Sequence, residues 1–226
     1  MRHIVKTEPP KEFIDYCKTP GVSYEGLSGE PKRKLRKRLL EDQGYICCYC
    51  GMEIFDNEHT KIEHVQCRKN HNDLALCFDN MLVSCDGGES DRSAYNKGKA
   101  SKLSRRTMEE HQPHCDAKKG EKDIPVSPLD VDIERFITYF DDGSVEGYGE
   151  QGRTLIQVLG LDAKYLQTLR KNAVVSYLEN TIDDIDTEIE KLHSLVDGKY
   201  QPFCFVISQC LSVQRENIES FAGCAG

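Results

Sequence analysis

Four of the chain's eleven cysteines constrain its fold more than any other feature. Cys47 and Cys50 form a Cys-x-x-Cys turn followed directly by Gly51, and Cys85 and Cys115 lie far downstream. Such a turn lets two sulfurs converge on one ion, and a second pair closes a tetrahedral zinc site. Cys48 lies inside the turn and is expected to point away. Cys17, Cys67, Cys77, Cys204, Cys210 and Cys224 are expected to pack as small apolar groups. The opening residues carry no apolar run of signal-peptide length. The expectation is therefore reduced thiols around a metal, in the cytoplasm, rather than a disulfide framework. No stretch approaches the ~20 apolar residues of a membrane span.

Between the cysteine pairs lie groups suited to hydrolysis. Glu63 and His64 are adjacent in Lys61-Ile62-Glu63-His64-Val65, which reads as a short strand. Neighbouring strand residues point to opposite sides, so one of the two can bind a metal while the other reaches a water. A neutral imidazole near pH 7 is a competent general base. Asn80 follows as an amide. Asp116, just after the last cysteine, is an acceptable ligand for a hard cation, and His114, just before it, is its rival. Lys118 and Lys119 either meet a phosphate or sit at a helix end in solvent.

The net charge of −8 is unevenly spread. Residues 1–124 hold 22 Lys+Arg against 21 Asp+Glu, a net of +1, and residues 125–226 hold 8 against 17, a net of −9. The expected division is a zinc-containing region over 1–124 and a hairpin plus helical partner-docking region over 125–226. Six of the seven residues from Lys32 to Arg38 are basic, on a helix expected from Lys32 to Glu41. That helix either carries a solvated face or contacts phosphates. The opening 31 residues read as irregular. Residues 91–113 read as a polar insertion with Lys97, Lys99, Lys102, Arg105 and Arg106.

Beyond Pro125 the pattern predicts a hairpin around Asp141–Ser144 and a helix from Arg153 to Leu159 stopped by Gly160. A second helix, capped by Asp162, runs to Leu178. Ile182, Ile185, Ile189 and Leu192 mark a third. Phe203–Val213 reads as a last apolar helix with surface to spare for a binding face.

The order Cys47-x-x-Cys50, Glu63-His64, Asn80, Cys85, His114-Cys115-Asp116 resembles the HNH nuclease family. The resemblance implies an α+β chain with a ββα-metal core and structural zinc, followed by a mainly helical C-terminal region. It implies that His64 is the general base, that Glu63 helps hold a catalytic Mg²⁺ or Mn²⁺, and that Asn80 orients the catalytic loop. It makes Cys47, Cys50, Cys85 and Cys115 the zinc ligands, with Asp116 or His114 completing the second metal. The family's last position is commonly histidine or asparagine, and Asp116 departs from that.

Met1-Arg2-His3-Ile4-Val5-Lys6, Gly44-Tyr45-Ile46-Cys47 and Pro128-Leu129-Asp130 further resemble the HNH nuclease subunit of Septu-type antiphage systems. That implies a nucleic-acid target, DNA or tRNA, and an ABC-like ATPase partner. In the retron-associated form it implies a reverse transcriptase and its DNA as well. The rival class is a non-catalytic zinc-finger module, which keeps the four cysteines and has no use for Glu63, His64 or Asn80.

Overall fold

The computed structural model describes residues 1–97, 112–179, 182 and 184–223. Lys99, Lys102, Arg105, Arg106 and Cys224 of the sequence reading lie outside them. The described residues form an α+β fold with eight α-helices and two small antiparallel sheets.

The first sheet pairs β1 (Thr60–His64) with β2 (Met81–Cys85), with Glu63 opposite Leu82 and His64 opposite Met81. All five residues of β2 are buried. Two helices pack on it: α2 (Gly29–Asp42) and the short α4 (Cys115–Lys119). α2 presents Leu35, Leu39 and Leu40 inward at helical spacing. The 3₁₀ turn Phe78–Asn80 leads directly into β2.

The opening segment is not irregular throughout. α1 (Lys11–Cys17) buries Phe13, whose ring centroid lies 6.5 Å from that of Phe78. Pro10 supplies its N-cap without a side-chain bond, so the usual polar cap signal is missing from the sequence. The basic residues of α2 are largely engaged. Lys34 pairs with Glu12, Arg36 with Asp56, Arg33 with Glu30, and Lys37 and Arg38 with Glu41.

α3 (Glu89–Asn96) follows β2. Further on, β3 (Ile137–Tyr139) and β4 (Val145–Gly147) form the expected hairpin. α5 (Gly149–Leu159) ends at Gly160, whose φ of 60° is the left-handed stop the sequence pattern requires. α6 (Lys164–Leu178) starts from Ala163, not from a cap at Asp162. α7 (Ile185–Leu192) is capped by Asp184, whose carboxylate accepts from the Thr187 N–H. Ile182 lies before it. No helix among the described residues is long and apolar enough to cross a membrane.

α8 (Cys204–Gly223) corrects one expectation. Phe203, Phe205, Val206, Ile207, Cys210 and Leu211 are buried in this chain's own core, so these side chains are not surface to spare for a binding face. Residues from both sides of position 125 share that core. The Ile4 N–H donates to the Pro128 carbonyl at 2.8 Å, and the Phe203 N–H donates to the Gly51 carbonyl at 2.9 Å.

Candidate metal centre and adjoining cleft

The turn after β1–β2 and the start of α4 bring the distant cysteines together. Gly87 makes this close approach possible: its φ is 58°, and a Cβ there would stand 1.8 Å from the His114 carbonyl oxygen. Cys115 itself adopts a φ of 49°, which few side chains tolerate. On the other side, the Cys47–Cys50 turn is pinned to β2, with the Cys48 N–H donating to the Val83 carbonyl at 3.2 Å.

The ligand atoms of Cys47, Cys50, Cys85 and Cys115 all lie within 4.8 Å of one another, and all four residues are buried. They are the one such group of three or more among the described residues. Cys47 Sγ lies 3.8 Å from Cys115 Sγ, and Cys50 Sγ lies 3.8 Å from Cys85 Sγ. A tetrahedron with ~2.3 Å metal–sulfur bonds has sulfur–sulfur edges of ~3.8 Å, so the spacing fits a metal such as zinc. The Cys85 N–H donates to Cys47 Sγ at 3.3 Å. Burial opposes ionisation of Cys47, yet hydrogen bonds from the neighbouring thiols outweigh it and hold its pKa well below the ordinary thiol range. Burial pushes Cys115 well above that range. A dication bound among four thiols this close would let all four ionise.

The sequence reading of the other cysteines divides. Cys48 stays outside the set, and burial pushes its pKa well up. Cys67, Cys204 and Cys210 are buried, whereas Cys17 and Cys77 are only half-buried.

Beside this centre opens a cleft of about 360 Å³ lined by Glu63, His64, Asp116, Lys119, Arg68 and Lys69 among others. His64 ends β1, so it and Glu63 both reach the cleft rather than opposite sides of a sheet. The His64 ring meets Tyr24 edge-on, with centroids 4.5 Å apart, and its Nε2 lies 3.0 Å from the Ala75 carbonyl. A carbonyl only accepts, so Nε2 carries the hydrogen and Nδ1 of the neutral ring keeps its lone pair. Burial, opposed by the Ala75 bond, pulls the pKa down to about 4. His64 is therefore neutral at pH 7.

Asn80 does not line the cleft. Its Oδ1 accepts the Gln66 N–H at 2.8 Å, its Nδ2 donates to the Gln66 carbonyl at 3.0 Å, and its own carbonyl accepts the Val65 N–H at 2.9 Å. It fastens the segment that leaves His64.

Glu63 is buried, with Oε1 accepting from the Tyr49 hydroxyl at 3.0 Å and from Lys119 Nζ at 2.8 Å. Asp116 lines the same cleft. Burial raises the Glu63 pKa to about 7, with Lys119 opposing and Asp116 adding to the rise. Two neighbouring carboxyl groups at the edge of a cleft can hold a hard divalent cation. His114 lies elsewhere: its Nδ1 is 3.2 Å from the Gln112 carbonyl, and its ring leans on Tyr165. Of the two rivals it is thus Asp116 that the fold brings to Glu63.

Tyr49 and Lys119 are the partners that sequence reasoning missed. Lys119 is neither in solvent nor free for a phosphate; its side chain is 2% exposed and also donates to the His64 carbonyl at 2.8 Å. The available signal was spacing, since Lys119 lies one helical turn beyond Cys115. His59 and His71 also have partners, Asp86 and Asp123, each at 3.2 Å.

No family model matches the chain, and no curated protein matches it.

Proposed function

We propose that the chain is a metal-dependent HNH-type endonuclease that hydrolyses phosphodiester bonds in nucleic acid. The observation that carries this reading is a neutral, buried His64 in a cleft that Glu63 and Asp116 also line. The antiparallel β1–β2 pair with α4 packed on it, α3 intervening in sequence, supports the same reading. Zinc in the four-cysteine site has a structural role, because all four positions are filled by protein and none is left for a reactant.

In this mechanism His64 takes the proton of the attacking water on its free ring nitrogen. Asn80 keeps the following loop, and so the imidazole, in place. Glu63 and Asp116 would hold a Mg²⁺ or Mn²⁺ ion, which would supply charge stabilisation for the phosphate and leaving oxygen. Arg68 and Lys69 at the rim are paired with Glu25 and Glu121, and would meet the phosphate backbone by exchanging those partners for it. The proposed setting is an antiphage complex with an ABC-like ATPase subunit, acting on DNA or tRNA.

The closed ion pair of Glu63 with Lys119 favours a second reading, a zinc module without catalysis. One experiment separates the two. The purified protein, with whatever co-elutes, is offered plasmid DNA and total tRNA with Mg²⁺ or Mn²⁺, beside His64→Ala. Cleavage lost only in the variant supports the nuclease. Equal cleavage by both, or none by the wild type with its partner present, supports the module.

A further inference from the structure

Lys119 is a buried ammonium at the wall of an open cleft. A long cationic side chain is seldom so enclosed without a partner, and here the partner is Glu63, at 2.8 Å. The same Nζ donates to the His64 carbonyl, so its position is fixed from two sides. The Tyr49 hydroxyl adds a second donor to the same Glu63 oxygen. Glu63 and Asp116 together offer up to two negative charges, and Lys119 offsets one of them.

A dication bound by these carboxylates would share Glu63 with the ammonium and be repelled by it. Small hard cations give up water reluctantly and are commonly held by one or two carboxylates together with substrate phosphates. A phosphate entering the cleft brings the negative charge that Lys119 has offset.

Taking Glu63 and Asp116 as the divalent-cation ligands, as the proposed function does, we propose that Lys119 is a built-in counter-cation for that pair. It fixes Glu63 in the cleft wall and keeps the affinity for a bare divalent cation low. The cation then binds with the phosphate of the substrate, not ahead of it. Lys119 is a positioning residue in this scheme. A plain structural ion pair makes the opposite forecast, because its removal would loosen the carboxylates and weaken cation binding.

The test uses full-length, zinc-loaded protein without nucleic acid and follows free Mn²⁺ by its paramagnetic resonance signal. Lys119→Met should bind one Mn²⁺ roughly tenfold or more tightly than the wild type, since a nearby unit charge has been removed. Lys119→Arg should stay weak, and Lys119→Met combined with Glu63→Gln should return to weak binding. Zinc content and melting temperature report on the fold of each variant. If Lys119→Met holds its zinc yet binds Mn²⁺ no tighter, while Glu63→Gln weakens binding, the counter-cation role is overturned and the carboxylate site stands. If Mn²⁺ binding is indifferent to Glu63 in every background, the cation-site reading itself falls. Should Lys119→Met not fold, the wild type decides. Mn²⁺ should bind roughly tenfold or more tightly with a non-cleavable oligonucleotide present than without it; equal affinity overturns the proposal.

Discussion

The hydroxyl of Tyr49 donates to Glu63 at 3.0 Å, and Tyr49 is held in the turn between Cys47 and Cys50. The metal centre and the cleft are thereby one structure. Lys119 makes the second link, because the helix that carries it begins at Cys115. Two of the three elements that supply cysteines to the candidate metal centre, the Cys47–Cys50 turn and α4, also supply a donor to the same carboxylate oxygen. A disturbance of the metal centre must therefore reach Glu63.

The first consequence concerns zinc. The protein should carry about one tightly bound zinc per chain, and Cys47→Ser should lose it, with local unfolding of the knuckle and α4. Metal analysis and amide exchange read both effects. Protection should fall in β1 as well as in the knuckle, because Glu63 loses Tyr49 and Lys119 together. Full zinc occupancy in Cys47→Ser would remove Cys47 from the ligand set.

The second concerns His64 as base. His64→Ala should lower cleavage by ~10²–10⁴ while leaving zinc content unchanged. Single-turnover cleavage on the substrate found for the wild type gives the number. A variant with wild-type rate would leave the cleft without a base.

How much of this was legible in the sequence depends on distance along the chain. Cys47 and Cys50 declare themselves by local spacing, and the alternation around Ile62 foretells β1, whereas the continuous apolar run Met81-Leu82-Val83 does not distinguish strand from helix. The hairpin at Asp141–Ser144 and the stop at Gly160 follow from turn chemistry. Lys119 and Tyr49 do not, because their partner Glu63 is reached only after the fold closes. α1 was hidden by a proline cap. The fate of Phe203–Leu211 was hidden because an apolar run looks alike whether it packs on its own core or on another chain.

The third prediction follows from the pKa of His64. Its folded value is about 4, against about 6.5 for a free imidazole. Between those values the unfolded chain takes up a proton that the folded chain refuses, so stability falls as pH drops from about 6.5 to about 4. Thiolate protonation also weakens a metal centre in acid, and a control must carry that effect too. Urea midpoints of wild type and His64→Asn, compared from pH 7 to pH 5, should converge as pH falls. Parallel curves would mean His64 is not held neutral by the fold.

The fourth concerns Asn80, which serves three backbone partners from a buried position. Asn80→Ala should leave the part-buried Gln66 N–H without its side-chain acceptor, at a cost of about 1 kcal/mol. Cleavage should fall with it through misplacement of His64. Asn80→Asp restores the acceptor for that N–H but not the donor, so it should recover part of the stability. Denaturant midpoints of the two variants rank them, and equal midpoints would show that the Gln66 N–H bond contributes little.

The last prediction concerns α8 and its grip on the knuckle. Gly51 has a φ of 79°, and a Cβ there would stand 2.6 Å from the Phe205 ring. Phe205 also packs on Tyr139, with ring centroids 5.4 Å apart, and is buried. The knuckle is thus closed from behind by the last helix. Phe205→Ala should cost ~3–5 kcal/mol and speed zinc loss to a chelator. Val213, 54% exposed on the same helix, should tolerate Val213→Ala within ~0.5 kcal/mol and hold its zinc as the wild type does. Deleting residues 181–226 should leave no folded zinc-binding fragment, since it strips Phe203, Phe205, Val206, Ile207 and Leu211 from the core that α2 and β2 also build. Thermal melting and zinc content of the truncated chain decide the matter. A stable fragment that kept its zinc would show that α8 covers the knuckle without supporting it.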